Sequence, residues 1–114
     1  MKKTTTSLFA GTLFIAFAGL TPAHAAIDAA AAEELMEANK CFKCHAVAKN
    51  GKGPSLKKIA TKYKGKPDGE EKAIKNMTEG KKVKLDDGTE EEHKVIKTRD
   101  PAKLKNVAQW ILSQ

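Results

Sequence analysis

The sequence predicts an all-α domain: about four helices gathered around one loop-rich centre, behind a leader that is not part of the fold. Three observations carry that expectation. Four segments combine helix-forming composition, or apolar residues at helical spacing, with a capping residue at their start. Strand-like alternation is confined to residues 81–95. The folded part is also small and poor in large side chains, so it needs a staple in addition to its apolar core.

The leader comes first. Lys2 and Lys3 make a short positive start, residues 8–20 (LFAGTLFIAFAGL) are an apolar run, and Pro22 precedes the small-x-small triplet Ala23-His24-Ala25. This pattern reads as a secretory signal peptide, residues 1–25, cut after Ala25. The run is short for a bilayer span, and no later segment is apolar enough to cross a membrane. The expectation is an exported protein of periplasmic type, with residues 26–114 as one domain of 89 residues. Its aromatic residues are Phe42, Tyr63 and Trp110, and 19 basic residues stand against 14 acidic ones once Lys2 and Lys3 are removed. Such a basic balance suits acidic partners. Nucleic acid is a poor candidate, because export and the lack of an aromatic stacking platform both argue against it.

Residues 29–40 read as the first helix, with Asp28 as N-cap and alanines and glutamates in the first turns. Residues 50–54 (NGKGP) are a loop. Leu56, Ile59, Ala60 and Tyr63 then follow at helical spacing behind Ser55, a second cap. Residues 65–69 (GKPDG) carry turn chemistry, and Asp68 or Gly69 opens a third helix with Ala73, Ile74 and Met77 on its apolar side. In residues 81–95, Val83 and Leu85 alternate with lysines, Asp87-Gly88 signals a tight turn, and an acidic run follows; the choice lies between a small β-hairpin and a charged loop, with the hairpin favoured. The last helix is capped by Asp100, has Pro101 at its first position, and carries a stripe of Leu104, Val107, Ala108 and Ile111.

The chemistry is concentrated in CFKCH, residues 41–45. Cys-x-x-Cys-His admits three readings. As a covalent haem site, the two thiols add across the porphyrin vinyl groups and the next residue, an imidazole, lies under the iron. As a zinc site, Cys41, Cys44 and His45 or His93 have no second cysteine pair to complete the set. As a redox dithiol, the motif lacks the surrounding βαβ context. Haem is favoured, and export agrees with it.

Together with NGKGPSL at 50–56 and KNVAQWILSQ at 105–114, this motif makes the chain resemble the class I monohaem c-type cytochromes, especially the short bacterial electron carriers. The resemblance runs from the first helix to the last. It implies a class I cytochrome c fold around one covalent haem c, tethered by Cys41 and Cys44, with His45 as proximal ligand. The Pro54 carbonyl would accept a hydrogen bond from the other His45 nitrogen, fixing the tautomer. Trp110 is expected in the core, packing the first helix against the last.

One family feature is missing. Those carriers place a methionine ligand in a loop before the final helix, whereas the methionines left after the leader are Met36, ahead of the motif, and Met77, at a core-like helical position. His93 occupies the corresponding stretch, 48 residues beyond His45 and 17 before Trp110. Imidazole is a good iron ligand, so His93 is the favoured second metal ligand over Met77, Lys94 or an open position. The competing view is an exposed histidine among Glu90, Glu91, Glu92 and Lys94. The function expected is single-electron transfer by a monomeric carrier, not catalysis. Lys43, Lys49, Lys52, Lys57 and Lys58 would steer redox partner proteins with acidic docking surfaces. The alternative is a haem protein with a labile sixth position that binds or senses nitric oxide, oxygen or peroxide.

Overall fold

The computed structural model describes Gly19 and residues 25–114, so the body of the expected signal peptide lies outside the described residues. The elements are α1 (Ala29–Ala38), a 3-10 turn (Cys41–Lys43), α2 (Leu56–Tyr63), α3 (Gly69–Thr78), β1 (Lys82–Lys84), β2 (Glu90–Glu92) and α4 (Pro101–Leu112). Among the described residues, four helices and one two-stranded antiparallel ribbon match the expected all-α class with its hairpin.

Local chemistry explains the boundaries. Asp28 accepts a hydrogen bond from the Ala31 amide, Ser55 from Lys58, and Asp100 from Ala102 and Lys103, so three helices start on a side-chain cap. Asp68 stands at the N-cap position of α3 but makes no such bond. Its carboxylate turns to Lys72 at 2.6 Å, and that contact holds the exposed Asp68 carboxyl below its ordinary pKa. At the other end of α1 the helix stops two residues earlier than expected. Asn39 caps it, its side chain bonding the Leu35 carbonyl at 2.7 Å, and Lys40 takes a left-handed conformation (φ 61°) that turns the chain into the motif.

α1 and α4 are joined by a double amide bond. The Asn106 side chain accepts from the Asp28 backbone N–H and donates to the Asp28 carbonyl, both at 2.8 Å. Ala32 and Met36 from α1 meet Val107, Ala108 and Ile111 from α4 in a core that also takes in Leu56 of α2 and Met77 of α3. Trp110 is buried, as expected. Its ring meets Phe42 edge-on, with centroids 6.4 Å apart, so α4 packs directly against the CFKCH turn.

In the hairpin, Lys82 pairs with Glu92, Val83 with Glu91 and Lys84 with Glu90. Gly88 supplies the positive φ of the turn (85°), while Asp87 accepts from the Thr89 amide and hydroxyl. Leu85, at the start of the turn, is buried.

Candidate functional site

The CFKCH segment is wound into one tight turn. The Cys44 and His45 amides both donate to the Cys41 carbonyl, at 3.2 and 3.0 Å. The Cys44 carbonyl in turn accepts from Gly53 at 3.0 Å, folding the following loop back on the motif. Glycine eases this close approach: a Cβ on Gly53 would lie 3.1 Å from the His45 ring, and one on Gly51 would lie 3.2 Å from the Cys44 carbonyl oxygen. Asn50 Oδ1 takes the Ser55 amide, and the Leu56 and Lys57 amides bond to Ala46 and Val47, so the loop closes at both edges.

This closed loop presents the Pro54 carbonyl to His45 Nδ1 at 2.7 Å. A carbonyl can only accept, so Nδ1 carries the proton and Nε2 keeps its lone pair for a metal.

Cys41, Cys44, His45 and Pro54 line one side of a cavity of about 960 Å³, and His93 lines it from the hairpin exit. The His93 amide donates to the Lys81 carbonyl at 2.9 Å, and the Ile96 amide to Met77 at 2.8 Å, so the segment is anchored on both sides of the imidazole. The His45 and His93 ring centroids are 6.0 Å apart with their planes at 66°. Imidazole nitrogens bind metals at about 2 Å. Two rings ligating one ion from opposite sides therefore stand about as far apart as these two do. Burial lowers the His93 pKa, the nearby His45 adds to this, and a hydrogen bond to the Asn76 backbone opposes it. The net direction favours the neutral ring, which is the ligating form.

The remaining expected residues are placed as follows. Cys41 is half-buried, and burial raises its thiol pKa; its own backbone hydrogen bond lowers it and Cys44 raises it further. A redox dithiol requires the opposite shift. Among the described residues no group of three or more His, Cys, Asp and Glu is arranged to hold a metal ion by itself, which leaves the zinc reading without a ligand set. Met77 and Met36 both reach the cavity wall but are packed into the apolar core. Of the lysines named from the sequence, Lys52 and Lys58 line the cavity, and Lys43, Lys49 and Lys57 do not.

Sequence reasoning missed Tyr63 and Asn76 as cavity residues, together with Lys62, Lys81, Lys82 and Lys84. The alternation of Val83 and Leu85 was the available signal for the hairpin wall. Asn76 carried none. An apolar cavity walled by Leu56, Ile59, Val83, Leu85 and Ile96, with two thiols and two facing imidazoles, fits a planar metallo-macrocycle held covalently.

The comparisons with known proteins agree. The family model described as "Cytochrome c" matches residues 29–114. The crystal structure of class 1 cytochrome MtoD from Sideroxydans lithotrophicus ES-1 is 52% identical, with 77% of this chain and 97% of that one covered and a TM-score of 0.73. Wild-type cytochrome c552 from Nitrosomonas europaea is 28% identical, with 71% and 96% covered and a TM-score of 0.56. A comparison with curated proteins gives no match.

Proposed function

The chain belongs to the cytochrome c family, whose members bind one covalent haem c and carry electrons, and on that premise we propose an exported, bis-histidine-ligated single-electron carrier. In this reading Cys41 and Cys44 would tether the porphyrin, His45 and His93 would ligate its iron, and Pro54 would orient His45. The observation that carries it is the pair of imidazoles on the cavity wall, with ring centroids 6.0 Å apart. Met77 is set aside because its side chain is built into the apolar core, whereas His93 lines the cavity beside His45.

When bound, the haem supplies a site for one electron at its iron. The protein residues do the rest. The Pro54 carbonyl keeps the His45 proton on Nδ1 and makes Nε2 a stronger donor. Leu85, Ile96 and Leu56 line the cavity with apolar surface that excludes water. A second imidazole in place of a methionine sulfur favours ferric iron, so the potential lies below that of a His/Met carrier. With His45 and His93 both ligating the iron, the protein would leave no position for substrate at the metal, which supports transfer over catalysis.

Export to the periplasm is supported by the pattern of residues 1–25 and by the covalent-haem motif. Among the described residues no helix is long and apolar enough to cross a membrane. The partners are redox proteins, and we assign them acidic docking surfaces because seven lysines against four acidic residues line the cavity.

The test is His93→Ala. The ferric variant should become high-spin, and the reduced variant should bind carbon monoxide quickly where the wild type binds it slowly. An unchanged low-spin spectrum would remove His93 from the iron. Fast carbon monoxide binding by the wild type would favour a protein that senses small ligands instead.

A further inference from the structure

One peptide group beside the site is gripped from both ends. The Pro54 carbonyl accepts from His45 Nδ1 at 2.7 Å, and the N–H of that same peptide, which belongs to Ser55, donates to Asn50 Oδ1 at 2.9 Å. A backbone N–H only donates, so the Asn50 amide is fixed with its oxygen toward Ser55. The pyrrolidine ring sets φ of Pro54 but leaves open where its carbonyl points, and the grip on the Ser55 N–H settles that direction. Ser55 is buried, and its other polar groups start α2: its hydroxyl accepts from the Lys58 amide at 3.2 Å and its carbonyl from Ile59 at 3.0 Å. Asn50 is held in turn. Its backbone runs beside His45 as an antiparallel bridge, the Gly51 amide donates to the Gly53 carbonyl at 3.0 Å, and Asn50 itself lines the cavity.

We propose that Asn50 is a positioning residue for the His45 imidazole, acting through the Pro54–Ser55 peptide, whose rotation it fixes and whose carbonyl it polarises. This role rests on His45 as an axial ligand. An amide whose N–H is hydrogen-bonded carries more negative charge on its oxygen, and bonds linked in such a chain strengthen one another. The Pro54 oxygen then pulls harder on the Nδ1 proton, and Nε2 becomes the better donor to ferric iron. Among the described residues no hydrogen bond joins the Asn50 side chain to the ring itself, so its influence passes through the peptide.

The experiment compares the full haem-loaded wild type with Asn50→Ala, Asn50→Asp and Asn106→Ala. The first removes the acceptor with no change of charge, and the second keeps a side-chain oxygen and charges it. The third cuts the α1–α4 amide bonds, away from the cavity lining. Midpoint potential is measured for each, together with solvent exchange of the His45 Nδ1 proton by nuclear magnetic resonance of the reduced protein. In Asn50→Ala the proton should exchange roughly twofold to tenfold faster, the range that one lost hydrogen bond supplies. Its potential should rise, because weaker donation by the imidazole disfavours ferric iron. Asn50→Asp should exchange at the wild-type rate or more slowly, since a charged acceptor bonds more strongly. Asn106→Ala should match the wild type in both readouts. Wild-type exchange and potential in Asn50→Ala would overturn the proposal and leave Asn50 as a loop closure only. Faster exchange in Asn50→Asp, or equal shifts in Asn106→Ala, would overturn it too. His45 ring signals that the ferric iron of the wild type does not displace would instead reject the ligand assignment, and the positioning role with it.

Discussion

Gly69 shows how much one missing side chain can decide. It is buried at the first position of α3, and a Cβ there would run into the Tyr63 carbonyl and lie 3.6 Å from the Tyr63 Cβ. The obstacle is backbone, which cannot swing aside as a flexible side chain can. Gly69→Ala should therefore destabilise the protein by about 2 kcal/mol, within the usual cost of overpacking, as measured by denaturant unfolding. A neutral or stabilising outcome would mean that the α2–α3 turn is less tightly closed than the structure has it. Lys40 raises the opposite question, because a left-handed conformation is where glycine is preferred, yet lysine stands there. At this scale legibility in the sequence was uneven. Asp28, Ser55 and Asp100 announce themselves as caps by residue type and position. The non-capping behaviour of Asp68 could not be read, because Lys72 one turn later competes for the same carboxylate.

Among the elements, the hairpin was the most ambiguous in the sequence and is the most consequential in the structure. Its alternation covers only three residues per strand, a length that favours a hairpin over a charged loop only weakly. What settles it is tertiary: Leu85 is buried in the cavity wall and the Lys81 carbonyl closes the ribbon on the His93 amide. The CFKCH turn was legible as chemistry but not as a 3-10 turn, since its conformation depends on bonds to the Cys41 carbonyl that no propensity encodes. The α1–α4 junction was legible only as two amphipathic helices. Its most specific contact, the Asn106 amide on the Asp28 peptide, joins residues 78 apart and leaves no local pattern. Asn106→Ala strips both partners from that peptide while leaving the apolar contacts intact. It should cost about 1–2 kcal/mol by thermal or chemical unfolding. It should leave the haem spectrum unchanged, because the junction lies outside the cavity lining. A spectral change would show that the two terminal helices are coupled to the site.

At the scale of the molecule, a cavity of about 960 Å³ in so short a chain means that the cofactor completes the core. This is the physical sense of the sparse aromatic composition noted from the sequence, where Phe42 and Trp110 pack together and Tyr63 goes to the cavity wall. Charge is unevenly spread. α2 carries Lys57, Lys58 and Lys62 with no acidic residue, whereas α1 carries Glu33, Glu34 and Glu37 with no basic one. Such a distribution would orient the protein toward the acidic partner proposed above. Electron transfer to that partner should slow by about tenfold or more between low salt and 0.5 M salt, as screening shortens the reach of the lysines. A flat salt response in stopped-flow mixing would assign the lysines to solubility alone. The sequence made the basic balance plain, but it pointed to lysines near the motif. The fold keeps Lys52 and Lys58 of these at the cavity and adds Lys62, Lys81, Lys82 and Lys84, which the chain's return along α2 and the hairpin puts there.

Ligation of one iron by the His45 and His93 imidazoles is read out by ferric electron paramagnetic resonance combined with near-infrared magnetic circular dichroism. The wild type should show a low-spin centre with the charge-transfer band of bis-imidazole ligation, lost in His93→Ala. A band at the position of thioether ligation in the wild type would contradict it and return Met77 to the iron.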